Sequence, residues 1–176
     1  MAGDYVALDY FIDSISDLHS GKNLSKGSNT VFKMREIKYI VIHCTAGSAQ
    51  QKTSDIINYW KYKLGWKSYG YHFLISEDGS IENLTKIEEP SNGVKGHNHD
   101  SIHVCYKGGW NGTDTRTPAQ KRSMDATVRT LKARFPKATV LGHRDLSPDL
   151  NGDGKITPNE WVKLCPCFDA KKEYNG

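Results

Sequence analysis

Ile37-Lys-Tyr-Ile-Val-Ile-His43 is the stretch from which the rest of this chain is read. Its apolar, β-branched residues run together at Ile40, Val41 and Ile42, the pattern of a strand buried on both faces. The run ends on a histidine. Immediately upstream stands Met34, and before it Ser20-Gly-Lys-Asn and Lys26-Gly-Ser-Asn read as a linker. Further upstream, Tyr5, Leu8, Ile12 and Ile15, with Phe11 and Leu18 beside them, fall at helical spacing. Asp9, Asp13 and Asp17 lie on the polar side. The expected division is therefore a helical extension and linker over 1–33 and a main domain over 34–176. The extension is a candidate docking element for a partner, an autoinhibitory element, or packing alone.

Downstream of the strand the elements alternate. Ser54 to about Leu64 predicts a helix with Ile56, Ile57, Trp60 and Leu64 inward. Tyr71-His-Phe-Leu-Ile-Ser and Ser80-Ile-Glu-Asn-Leu flank Glu77-Asp-Gly79, a hairpin turn. Ile102-His-Val-Cys-Tyr106 is a further strand. Thr117-Pro-Ala-Gln120 is a capping box with proline at the first helical position. The helix it opens carries Met124, Val128, Leu131 and Phe135, and Pro136 closes it. Thr139-Val-Leu-Gly142 is a short strand delivering His143. Strands alternating with helices predict an α/β fold with a mixed central β-sheet flanked by helices.

Composition narrows the function. A chain of 176 residues with 37% apolar content suffices for one core, and a net charge of +4 suits an anionic polymer without requiring one. No block of like charge suggests a nucleic-acid arm. No apolar run reaches the roughly 18 residues that span a bilayer. The stretch Met1-Ala-Gly-Asp-Tyr5 lacks the basic and apolar regions of a secretory signal. Of the four cysteines, Cys44 and Cys105 lie in apolar strand-like runs, where a free buried thiol is common, so a disulfide between them is not expected. A monomer is expected.

Chemistry concentrates between His143 and Asp169. Catalytic zinc takes three protein ligands and keeps a fourth position for water. His43 and His143 both stand at strand ends, and Cys165 or Cys167 supplies a thiolate. Two neutral imidazoles and one thiolate leave a zinc site at net +1, which lowers the pKa of bound water toward ~7. Each histidine taken alone also fits a hydrogen-bonded core residue.

The motifs taken in order resemble a known family. Val41-Ile-His-Cys-Thr-Ala46, Gly70-Tyr-His-Phe-Leu-Ile75, Lys95-Gly-His-Asn98 before Ile102-His-Val-Cys-Tyr-Lys-Gly-Gly109, Gly142-His-Arg-Asp-Leu-Ser-Pro148 and Lys163-Leu-Cys-Pro-Cys-Phe-Asp169 are similar to the zinc-dependent N-acetylmuramoyl-L-alanine amidases of the peptidoglycan-recognition-protein type, short phage lysozymes included. The resemblance covers roughly 35–170. It implies the fold of that family, zinc on His43, His143 and Cys165, and cleavage of the amide joining the lactyl group of N-acetylmuramic acid to L-alanine. Tyr71 and Lys163 match the two positions that assist catalysis in active members. The Cys-Pro-x-Phe-Asp pattern selects Cys165 over Cys167, which is then a packed thiol. Thr45, His97 and Asn98 are candidate substrate contacts, although a solvated loop accounts equally well for the last two. Where some members place a histidine ahead of the Lys-Gly-x-Asn run, this chain has Gly93, leaving His97 as the imidazole to serve there. His72 is read as structural. The implied setting is the cell wall, the partner peptidoglycan and its muropeptides.

Between His143 and Cys165, positions 149–160 satisfy the EF-hand loop pattern. Asp149, Asn151 and Asp153 would offer side-chain oxygens, Lys155 its carbonyl and Glu160 a bidentate carboxylate to Ca2+. The same residues read as a turn, Asn151-Gly-Asp-Gly154, followed by a capping box, Thr157-Pro-Asn-Glu160. Two rivals to the amidase remain: a non-catalytic muropeptide-binding module of the same fold, and a calcium-dependent interaction module.

Overall fold

The fold is described from a computed structural model over residues 35–175. The extension expected over 1–33 lies outside these residues. Five strands form one sheet in the order β3-β2-β4-β1-β5. They are β1 (Tyr39–Cys44), β2 (Phe73–Ile75), β3 (Ile81–Asn83), β4 (Ser101–Tyr106) and β5 (Thr139–Gly142). β1 pairs in parallel with β4 and β5, β2 in parallel with β4, and β3 antiparallel with β2. The mixed sheet read from the sequence is thus observed. Its first strand begins at Tyr39 rather than Ile37, and Ile37 is buried beside it.

Position along the strands sorts the side chains. In a parallel ladder, partners in register point to the same face. Val41 pairs with His103 and His43 with Cys105, so these four share one face. Ile40, Ile42, Ile102, Val104 and Tyr106 occupy the other and are all fully buried. Helix α1 (Thr53–Asn58), continued by a π-helical turn over Tyr59–Lys63, brings Ile56 and Trp60 against Leu74 and Cys105. The longest helix, α2 (Pro118–Arg134), packs on β2 and β4 and buries Met124, Val128 and Leu131. Its start is the expected capping box: Thr117 Oγ1 accepts from the Gln120 amide and Gln120 Oε1 accepts from the Thr117 amide, both at 3.0 Å. A short terminal helix, α3 (Ala170–Asn175), lies along β5.

Register then positions the site. Tyr39 pairs with Thr139 and Ile42 with Gly142, a constant offset. His43 and His143 therefore leave the carboxyl ends of adjacent parallel strands side by side, the edge of an α/β sheet where sites form.

Candidate active site

His43 Nδ1 lies 3.2 Å from His143 Nδ1 and 3.8 Å from Cys165 Sγ. All three ligand atoms fall within 4.8 Å of one another, and among the described residues this is the one group of three such side chains that could hold a metal ion. A tetrahedral zinc, with bonds of ~2.0–2.1 Å to nitrogen and ~2.3 Å to sulfur, sets N–N edges of about 3.3 Å and N–S edges of about 3.6 Å. The residues present fit that ion.

Each arm of the group is held by the backbone. Cys165 comes from an irregular segment that docks on the strand ends: its carbonyl accepts the Arg144 amide at 2.9 Å, and its Sγ accepts the Cys44 amide at 3.1 Å. The next residue is anchored too, since Tyr106 Oη donates to the Pro166 carbonyl at 2.9 Å. Gly142, just before His143, makes room for this docking, because a Cβ there would lie 2.4 Å from Pro166 Cδ.

Electrostatics favour neutral imidazoles. Burial pushes His43 well below the usual histidine range, and the charges of His103, His143 and Lys163 push it further. His143 is lowered to about 4, first by burial and then by Lys163. Neutral imidazole is the form that ligates metal. Lys163 is exposed, and its charge reaches both histidines. Tyr71 packs its ring 5.1 Å from that of His43 and edge-on to Trp60 at 5.2 Å. Burial, then the neighbouring thiols, raise its phenol well above the ordinary value, so it is a neutral hydroxyl. Tyr71 thus stands at the group.

The other expected contacts have local partners. Thr45 Oγ1 accepts the Gly108 amide at 3.1 Å, joining the ends of β1 and β4. Asn98 Oδ1 accepts the Val94 amide at 2.8 Å within its own loop. His97 sets its ring edge against Tyr39 at 5.7 Å rather than against the metal group. The four cysteines are free thiols, and Cys167 Sγ packs 3.5 Å from Cys44 Sγ.

The calcium set does not assemble. Among the described residues Asp149, Asp153 and Glu160 form no such group. Their oxygens serve the loop's own backbone. Asp149 accepts the Gly152 and Gly154 amides at 2.7 Å, Asn151 Oδ1 the Asp153 amide at 2.9 Å, and Asp153 the Lys155 amide at 2.8 Å. Glu160 accepts from the Leu150 amide at 3.0 Å, the Thr157 amide at 2.7 Å and the Thr157 hydroxyl at 2.8 Å. The capping-box reading describes this loop, and the helix it opens is a single 3-10 turn over Pro158–Glu160.

Sequence reading passed over His103. Its Nδ1 lies 3.0 Å from His43 Nε2, and it is fully buried on β4. Its place two residues before Cys105 in an apolar strand is a signal for the same face as that cysteine, but nothing local says that His43 faces it. His72 contributes to the site's support rather than its chemistry: Nδ1 accepts the His103 amide at 3.0 Å. It stands just before β2, so the two-residue alternation does not separate it from Tyr71.

A His-His-Cys group that could hold a metal ion thus stands at the carboxyl ends of a mixed, helix-flanked sheet. The N-acetylmuramoyl-L-alanine amidase profile matches residues 33–160, and the chain belongs to that family. The match takes in both histidines and Tyr71 and stops short of Lys163 and Cys165. The endolysin of Escherichia phage T7 is 33% identical over 147 residues, covering 80% of this chain and 88% of that one. An uncharacterized protein of Haemophilus influenzae is 48% identical over 97 residues, covering 53% of this chain and 84% of that one. In fold, the N-acetylmuramoyl-L-alanine amidase LysC of Clostridium intestinale superposes with a TM-score of 0.60 at 21% identity, covering 86% and 90% of the two chains.

Proposed function

We propose that this chain is a zinc-dependent amidase of the cell wall, hydrolysing the amide between N-acetylmuramic acid and L-alanine of peptidoglycan. The observation that carries the reading is the convergence of His43, His143 and Cys165 within 4.8 Å, with Tyr71 alongside. Family membership and the phage endolysin relative support the substrate class.

His43 Nδ1, His143 Nδ1 and Cys165 Sγ would hold the ion. When bound, it supplies Lewis-acid polarisation of the scissile carbonyl and acidifies water. The protein groups do the rest. Attack on an amide builds negative charge on the carbonyl oxygen, which the Lys163 ammonium would stabilise. The neutral Tyr71 hydroxyl can donate a hydrogen bond to the reacting groups or relay a proton to the departing nitrogen. Trp60 fixes the tyrosine ring against His43, limiting its freedom.

A thiolate at position 165 favours catalysis over mere binding of muropeptides. The test is zinc content together with release of stem peptides bearing free L-alanine from purified peptidoglycan. Wild type carries about one zinc and releases peptide; Cys165→Ser loses both. A Cys165→Ser variant with full turnover would remove the site as drawn, and a zinc-loaded wild type that binds peptidoglycan without releasing peptide would favour the binding module.

A further inference from the structure

We propose that His103 is a positioning residue: by accepting the Nε2–H of His43 it holds that imidazole with Nδ1 turned toward His143 and Cys165. The proposal rests on the zinc reading above.

His43 has two ring nitrogens in two settings. Nδ1 faces the metal group, 3.2 Å from His143 Nδ1 and 3.8 Å from Cys165 Sγ. Nε2 faces His103 Nδ1 at 3.0 Å. A nitrogen that offers its lone pair to an ion carries no proton, so the proton of neutral His43 sits on Nε2. His103 Nδ1 must then be an acceptor, which puts the His103 proton on its own Nε2. That nitrogen is buried with no hydrogen-bond partner among the described residues. The arrangement commits one imidazole wholly to orienting another. Ligating histidines ordinarily give their second N–H to a carboxylate, a carbonyl or a water. Here the acceptor is a second neutral ring.

His103 is itself held rigidly. Its backbone amide donates to His72 Nδ1 at 3.0 Å, and the two rings stack with centroids 5.7 Å apart at 28°. His72 is pinned through Nδ1 to Ser91 Oγ and through Nε2 to the Glu89 carbonyl, each at 3.0 Å. The space for His103 comes from Gly93. A Cβ there would lie 2.3 Å from His103 Nδ1 and 2.4 Å from its Cγ. Gly93 is not among the positive-φ glycines, so room for the imidazole, rather than backbone conformation, calls for glycine.

The full chain tests this in two ways. In zinc-loaded wild type, imidazole nitrogen NMR should show the Nε2–H form for both His43 and His103; an Nδ1–H form of His103 overturns the proposal with no variant involved. Chelator competition should then show His103→Leu, which fills similar space without an acceptor, binding zinc roughly 10–100-fold more weakly. His103→Asn, whose carbonyl can stand where Nδ1 stood, should recover most of that loss. The thiolate bands of the cobalt-substituted chain should shift in the leucine variant and return toward wild type in the asparagine one. Equal zinc affinity and identical cobalt spectra in wild type and His103→Leu overturn the proposal. A wild type that holds no zinc overturns the zinc reading, and this proposal with it; zinc held normally beside an Nδ1–H His103 removes the proposal alone.

Discussion

His43 and His143 stand with their Nδ1 atoms 3.2 Å apart although 100 positions separate them in the chain. The separation equals the register offset of their strands, in which Tyr39 pairs with Thr139. Two neutral nitrogens facing each other at this distance can share at most one proton, and a cation between them satisfies both lone pairs. This relationship, completed by Cys165, organises the predictions that follow.

Lys163 is exposed, so its removal should leave folding within about 0.5 kcal/mol of wild type. Lys163→Ala is expected to retain zinc and to lose roughly 10²–10³ in turnover, the scale of removing one oxyanion donor. Losing a positive neighbour also favours the protonated imidazole, so the His143 titration of the metal-free chain, followed by NMR, should move upward from about 4.

Gly142→Ala inserts a methyl 2.4 Å from Pro166 Cδ. Overpacking of this kind costs about 1–3 kcal/mol. The displaced neighbour follows a ligand, so zinc affinity should fall along with the melting temperature. Calorimetry and zinc competition on one sample check both; an unchanged zinc affinity would show that Cys165 tolerates the shift.

Acid should destabilise the metal-free chain in a defined window. Burial lowers His72 from 6.5 to about 4, with the Arg35 charge adding to it against the opposing hydrogen bond to Glu89. His43, His103 and His143 are lowered as well. Between about pH 6.5 and 4 the unfolded chain therefore binds more protons than the folded one. Stability is complete above 6.5 and is lost as pH falls toward 4. The His72 shift alone corresponds to about 3 kcal/mol. Denaturant midpoints between pH 4 and 8 should plateau above 7; a flat profile from 7 to 4 contradicts this account.

Glu160 closes the loop that precedes Lys163 and Cys165. Glu160→Gln turns one acceptor oxygen into a donor facing the Leu150 or Thr157 amide. A lower melting temperature is expected, from the loss of the cap. Because the carboxylate serves a cap, the drop should be the same with and without added calcium. A calcium-dependent rise in the wild-type melting temperature, abolished by this substitution, would show the loop to be a cation site.

Much of the architecture was legible before any coordinates. The β-branched run ending at His43, the Thr117–Gln120 box and the turn at Asp78-Gly79 are each encoded by neighbours in sequence, so local chemistry suffices to read them. The three residues that meet as a group able to hold a metal, His43, His143 and Cys165, were named through motif order and through their residue types. The loop over 149–160 was ambiguous for a physical reason: short carboxylates and amides spaced around glycines serve equally to chelate an ion and to accept backbone N–H groups. His103 was invisible because its importance lies in what stands across from it.

What the amino-acid sequence determined by itself is the five strands, the helices opening near Thr53 and at Pro118, the mixed α/β class, and the residue types able to hold a metal. What only the tertiary structure decided is which side chains meet: His103 with His43, Tyr71 between His43 and Trp60, and Glu160 with its own loop rather than with Asp149 and Asp153. Strand pairing sets the first of these meetings: β1 and β4 join residues 62 positions apart, as Tyr39 with Ser101, through backbone hydrogen bonds that no local pattern records.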